Sequence, residues 1–167
     1  MKISIYLILA GLTFLPMISC VYHELDPPSS SAFTDASIFE EINEAGFEYY
    51  QGGTLLSPAS ASPHGNFKLR FNEEALSSLD ATGELPDGGV FMNGSVIVKE
   101  VYVNNALTVL AVMKKTPSDV NAANGWLWAE YKPDGGVFIS IAAKGNSCTS
   151  CHDDLPNRDF VRTFDFH

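Results

Sequence analysis

Gly94-Ser95-Val96-Ile97-Val98-Lys99-Glu100-Val101-Tyr102-Val103-Asn104-Asn105-Ala106-Leu107-Thr108-Val109-Leu110 carries the clearest structural signal in the chain. It is rich in β-branched residues and broken by an Asn pair, the composition of two strands joined by a tight hairpin turn. Side chains alternate across a strand. One face of the first strand therefore holds Ile97, Lys99, Val101 and Val103, and the other holds Val96, Val98, Glu100 and Tyr102. Both faces are largely apolar, so Lys99 interrupts an otherwise greasy row. A buried amine is costly unless it is neutral, paired or chemically used. The plain alternative is a buried stem whose amine snorkels to water.

Upstream, Phe67, Leu69 and Phe71 alternate with Lys68 and Arg70, which predicts a half-buried strand over residues 66–71. Residues 126–132 and 137–143 read as a second hairpin. Asn72 is placed to cap a short helix over 73–79. Residues 35–50 read as a longer helix, with Ile38, Phe39, Ile42, Ala45 and Phe47 on one face, Asp35 at the cap and Gly52-Gly53 as the stop. Residues 58–63 form a small-residue loop. The hexapeptide Pro-Asp-Gly-Gly-Val-Phe occurs at 86–91 and at 133–138 with unmatched flanks. It reads as a recurrent tight turn leading into a strand. The fold class expected is α+β, a mainly antiparallel β-sheet with a few short helices.

The N-terminus reads as an export signal. Lys2 is followed by an apolar run over residues 3–15, short for a membrane span and placed where a cleaved leader sits. Met17-Ile18-Ser19-Cys20 looks like a bacterial lipobox, which makes residues 1–19 a lipoprotein-type signal peptide and Cys20 the acylated first residue. Pro27-Pro28-Ser29-Ser30-Ser31 marks residues 20–34 as a flexible tether, and residues 35–167 are the size of one ordinary domain. The formal net charge is −10, from 20 acidic and 10 basic residues without a basic cluster, so nucleic acid is not an expected partner.

Near the other end stands Cys148-Thr149-Ser150-Cys151-His152. Two thiols at this spacing can add across the two vinyl groups of one porphyrin, and the adjacent imidazole can reach the iron. The expectation is one covalent haem c, bound near the C-terminus by Cys148 and Cys151 with His152 as the metal ligand. A structural zinc needs four ligands, and no second Cys pair exists. A redox dithiol belongs early in a βαβ unit. The three cysteines divide into one for lipid and two for haem, with none left for a disulfide. Fifteen residues follow His152, and none is Met. A distal ligand must come from upstream or the sixth position is open. Met92 and Met113 are available as ligands but are more naturally core filler; His64 could be a distal imidazole, although a lone loop His is usually solvated; and His167 is a frayed end.

Four stretches together resemble the cytochrome P-460 family of bacterial c-type haem proteins. They are Phe91-Met92-Asn93-Gly94 running into Val98-Lys99-Glu100; Thr82-Gly83-Glu84 before it; Asn124-Gly125-Trp126 with Pro133-Asp134; and the haem motif with Asp159-Phe160-Val161. Residues 85–90 look like an insertion, and Arg162-Thr163-Phe164 departs from the Phe-Thr-Arg order of the family, so no role is carried onto Arg162. The resemblance implies a β-sheet domain with an open distal site. It implies that Lys99 is bonded to the porphyrin edge, and that the activity is hydroxylamine oxidation with nitric oxide chemistry at the iron.

Three function classes follow. The first is an oxidoreductase acting on hydroxylamine or nitric oxide, with Lys99 as the catalytic candidate. The second is a diatomic-gas binder of the β-sheet c-prime type, and the third is a simple electron carrier. The partners expected are a small nitrogen oxide or gas, a redox protein, a second copy of the chain and, through Cys20, the periplasmic face of a bacterial membrane.

Overall fold

The computed structural model describes residues 30–58, 62–154 and 156–166. The signal peptide, Cys20, residues 20–29 of the tether and His167 lie outside the described residues. Six strands form one antiparallel sheet in sequential order: β1 (Glu48–Tyr49), β2 (Asn66–Phe71), β3 (Val96–Val103), β4 (Ala106–Lys115), β5 (Trp126–Tyr131) and β6 (Val137–Ile139). The β3–β4 turn is the Asn pair, with φ of 52° at Asn104 and 63° at Asn105, the left-handed conformation that a two-residue hairpin needs and that Asn tolerates. β4 runs to Lys115, beyond the 94–110 window, because it pairs with β3 along one length and with β5 along the other.

Each face of the sheet buries its own apolar set. Val96, Val98, Val112, Leu127, Ala129 and Tyr131 pack against Ile38 and Ile42 of helix α1 (Asp35–Glu41) and its exit. The opposite face carries Phe67, Leu69, Phe71, Ile97, Met113, Trp126 and Trp128, covered by α2 (Glu73–Leu76) and the C-terminal segment with α3 (Thr149–His152) and α4 (Thr163–Phe166). Among the described residues no helix is long and apolar enough to cross a membrane.

Several expectations are corrected. The helix over 35–50 stops at Glu41: Gly46 takes φ +105°, and Glu48 and Tyr49 pair with β2 instead. Strand pairing overrides the helical periodicity there. Thr34, not Asp35, caps α1, through a reciprocal pair with Ser37. The Asp35 carboxylate instead accepts from Ser140 Oγ at 2.6 Å and Ile141 N at 3.0 Å, fastening the helix to the chain beyond β6. Residues 141–143 form a short 3-10 turn rather than strand. The helix after Asn72 is one turn long, though Asn72 caps it as expected. The two hexapeptides differ: 133–136 closes the β5–β6 hairpin, whereas Gly89 turns back on Pro86 O and no strand follows. There the chain is held by Arg158, whose guanidinium donates to Leu85 O at 2.7 Å, so loop docking replaces pairing.

Glu100 needs no functional account. It points away from the Lys99 face, where Arg70 Nε lies 2.8 Å away and the hydroxyls of Tyr49 and Tyr102 each donate at 3.0 Å. A buried carboxylate satisfied three times over is a structural anchor.

Candidate functional site

Register places the chemistry. On the face bearing Lys99, residues directly opposite one another form cross-strand rows. One row is Leu69, Lys99, Ala111 and Glu130, on β2, β3, β4 and β5. To one side lies Ile97–Met113–Trp128, and to the other Phe67–Val101–Val109. A cavity of about 470 Å³ stands over these rows, within the range of small-molecule sites. Its wall includes Leu69, Val101, Val109 and Met113, with Cys148, Cys151 and His152. Ala111, the smallest side chain of the central row, leaves the middle of the floor open.

Lys99 answers the question its strand posed. The residue is half-buried, and Nζ sits 3.9 Å from the centroid of the Phe67 ring. No carboxylate pairs with it among the described residues. Burial pushes its pKa down to about 8, so about a tenth of the amine is unprotonated at pH 7 and half of it at pH 8.

The C-x-x-C-H run is carried by α3, which puts Cys148 and Cys151 on one side, a helical turn apart. Gly145 permits the approach: it has φ +64°, and a Cβ there would lie 2.5 Å from the Trp128 ring. His152 meets Trp128 edge-on, with ring centroids 4.9 Å apart. Its Nδ1 lies 2.7 Å from Phe160 O. A carbonyl only accepts, so Nδ1 carries the proton, and the neutral ring keeps its lone pair on Nε2. Burial holds the His152 pKa below the usual value, which favours that neutral form.

Phe160 O is itself held in place. Asp159 and Phe160 take φ of 51° and 67° in a turn closed by paired hydrogen bonds between Arg158 and Val161. Two consecutive non-glycine residues in the left-handed region are strained and must be over-determined by their surroundings. Lys115 Nζ donates to both Asp159 carboxylate oxygens, at 2.7 and 2.9 Å, and Phe91 N donates to Oδ2 at 2.9 Å. Trp126 Nε1 donates to Asp159 O at 3.0 Å.

The Cys148 thiol is pushed up to about 11, chiefly by burial and then by Glu130 and Cys151. A redox C-x-x-C needs a depressed thiol pKa, so this environment does not suit a dithiol oxidoreductase. Among the described residues, no cluster of three or more His, Cys, Asp or Glu could hold a bare metal ion. Paired thiols, a neutral imidazole with a free Nε2 and a broad apolar cavity do fit a porphyrin.

One cavity residue carries no expectation from the sequence, and a second departs from its expected setting. Glu130 lies in the same cross-strand row as Lys99, and burial raises its carboxyl pKa. The signal was present as an acid in the apolar strand Trp126–Tyr131. His64 is the second, and its expected solvation is corrected: it is half-buried and lines the cavity. Met113 lines the cavity on the Trp128 side, while Met92 is 53 % exposed and not part of the wall. Arg162 donates to Cys151 O at 2.6 Å.

An antiparallel sheet holding a C-x-x-C-H helix over an apolar cavity describes a cytochrome of the c type. No curated protein matches the chain. The family model described as Cytochrome P460 matches residues 48–163, from β1 to the start of α4, and the chain belongs to that family. Members bind haem c and are related to hydroxylamine-oxidising cytochromes.

Proposed function

We propose that the protein is a mono-haem cytochrome that oxidises hydroxylamine, with nitric oxide chemistry at an open coordination position. The haem iron, when bound, would supply that position and take electrons from the substrate. The observation that carries the reading is Lys99: a half-buried amine in the cavity wall with no carboxylate partner among the described residues, in the same row as Glu130. Cys148 and Cys151 would hold the haem, each by adding an S–H across a vinyl group, which needs no oxidant, and His152 would present Nε2 to the metal. Lys99 would bond the porphyrin edge. Replacing a ring C–H and an amine N–H by a C–N bond releases two protons and two electrons, which a peroxide takes up on reduction to water. Hydroxylamine oxidation releases a proton with every electron, and Glu130 is placed at the cavity wall to receive them.

Peptide mapping tests this reading. The Lys99 peptide should carry the mass of the porphyrin. In unlinked, haem-loaded protein treated with peroxide, linkage should accelerate as pH rises through about 8, because the free amine is the nucleophile. Lys99→Ala should keep haem through its thioethers, regain an ordinary c-type spectrum and lose hydroxylamine oxidation. A Lys99 peptide of unmodified mass would leave the largely apolar cavity better read as a diatomic-gas site.

We also propose export, with the domain tethered at the periplasmic face of the membrane through a lipid on Cys20 and passing electrons to a redox partner protein. Support comes from the leader and lipobox pattern alone. A fatty-acid analogue should label the wild type and not Cys20→Ala. Label retained by that variant would rule the anchor out.

A further inference from the structure

The two cavity imidazoles lie on opposite sides of the Lys99 row. His152 meets Trp128, which belongs to the row Ile97–Met113–Trp128. His64 comes from the other side. Its neighbour Gly65 approaches so closely that a Cβ there would lie 2.9 Å from Tyr102 O and 3.8 Å from Val103 Cγ2, beyond the row that holds Val101. Lys99 stands between, and its charge is felt by both rings. A flat group spanning the central row would therefore have His152 on one side and His64 on the other.

The His64 ring lines the cavity and makes no hydrogen bond or ion pair among the described residues. A half-buried imidazole without a partner is an unused donor and acceptor. Burial first, then Lys99 and His152, pushes its pKa down to about 4, so the ring is neutral under ordinary conditions, with one N–H and one lone pair.

We infer that His64 is the distal residue of this site, an imidazole that hydrogen-bonds the small molecule held opposite His152. The inference rests on the haem reading above and deepens it. The N–H would donate to the bound molecule, and the lone pair could accept a proton from an N–H or O–H of hydroxylamine. Such a role differs from axial ligation, in which the lone pair would be consumed and the open position lost.

Carbon monoxide on the reduced, haem-loaded full-length protein is the probe. An N–H aimed at the ligand oxygen lowers the C–O stretching frequency. His64→Leu should raise it, and His64→Gln, which keeps a donor, should stay near the wild type. The apolar replacement suits the cavity wall, and the Gln variant guards against a misfolded Leu variant. One frequency shared by all three proteins would overturn the inference. So would a low-spin, six-coordinate resting spectrum that turns high-spin in His64→Leu, since His64 would then be an iron ligand. A wild-type preparation with no haem spectrum gives no carbonyl band at all, and overturns the haem reading together with this one.

Discussion

A Cys148→Ala, Cys151→Ala double variant should lose all haem-linked peroxidase staining on denaturing gels, while the wild type retains it. The expected effect is complete because a thioether survives unfolding and an axial bond does not. Both sulfurs lie on one side of a single helical turn at the cavity. In the variant His152 keeps its Nδ1 bond to Phe160 O and its contact with Trp128, since neither uses a thiol. Reversible haem uptake by the variant is therefore compatible with the reading. Staining that survives in the double variant, or is missing from the wild type, would defeat it.

The largest stability loss is expected at Asp159. The Lys115–Asp159 pair is sealed from water, with both side chains 7 % exposed. Such a pair adds little over an apolar replacement, but removing one partner strands the other charge, at a cost of about 3–5 kcal/mol. Asp159→Asn isolates this effect because Asn also tolerates the left-handed φ of 51°. Denaturant unfolding of the haem-loaded protein should show the loss, and a second substitution, Lys115→Met, should recover much of it. The site should respond as well. The strained turn that aims Phe160 O at His152 would loosen, the imidazole would become a poorer donor to iron, and the midpoint potential should rise. Unchanged stability in Asp159→Asn would show that the pair is not the clamp described here.

Local signals settled a large part of the architecture. The Val- and Ile-rich run split by Asn104-Asn105 marked the central hairpin because the turn needs residues that tolerate positive φ, and both Asn adopt it. Alternation assigned the faces of β3 correctly, so Lys99 could be singled out as facing apolar neighbours before any partner strand was known. The cysteine spacing and its adjacent His are likewise local, since they report one helical turn.

Elements whose fate depends on distant chain depart from their local signals. Residues 42–50 have helical periodicity, yet the edge of β2 takes Glu48 and Tyr49. Residues 90–91 look like a strand entrance, but Arg158 docks the preceding loop and Asp159 accepts from Phe91 N. Lys115 and Asp159 lie 44 residues apart and carry no mutual signature.

Local sequence holds the pieces: a two-sided β hairpin, a lysine out of character with its strand, and a C-x-x-C-H turn. Strand pairing and chain packing bring them to one cavity. Antiparallel register aligns Lys99, Ala111 and Glu130 in one row, and the absence of a Cβ at Gly145 lets the haem motif lie on Trp128. Chain closure brings His64 to the side opposite His152, an arrangement that no spacing along the chain encodes, because side chains meet through strand pairing and packing rather than through sequence distance.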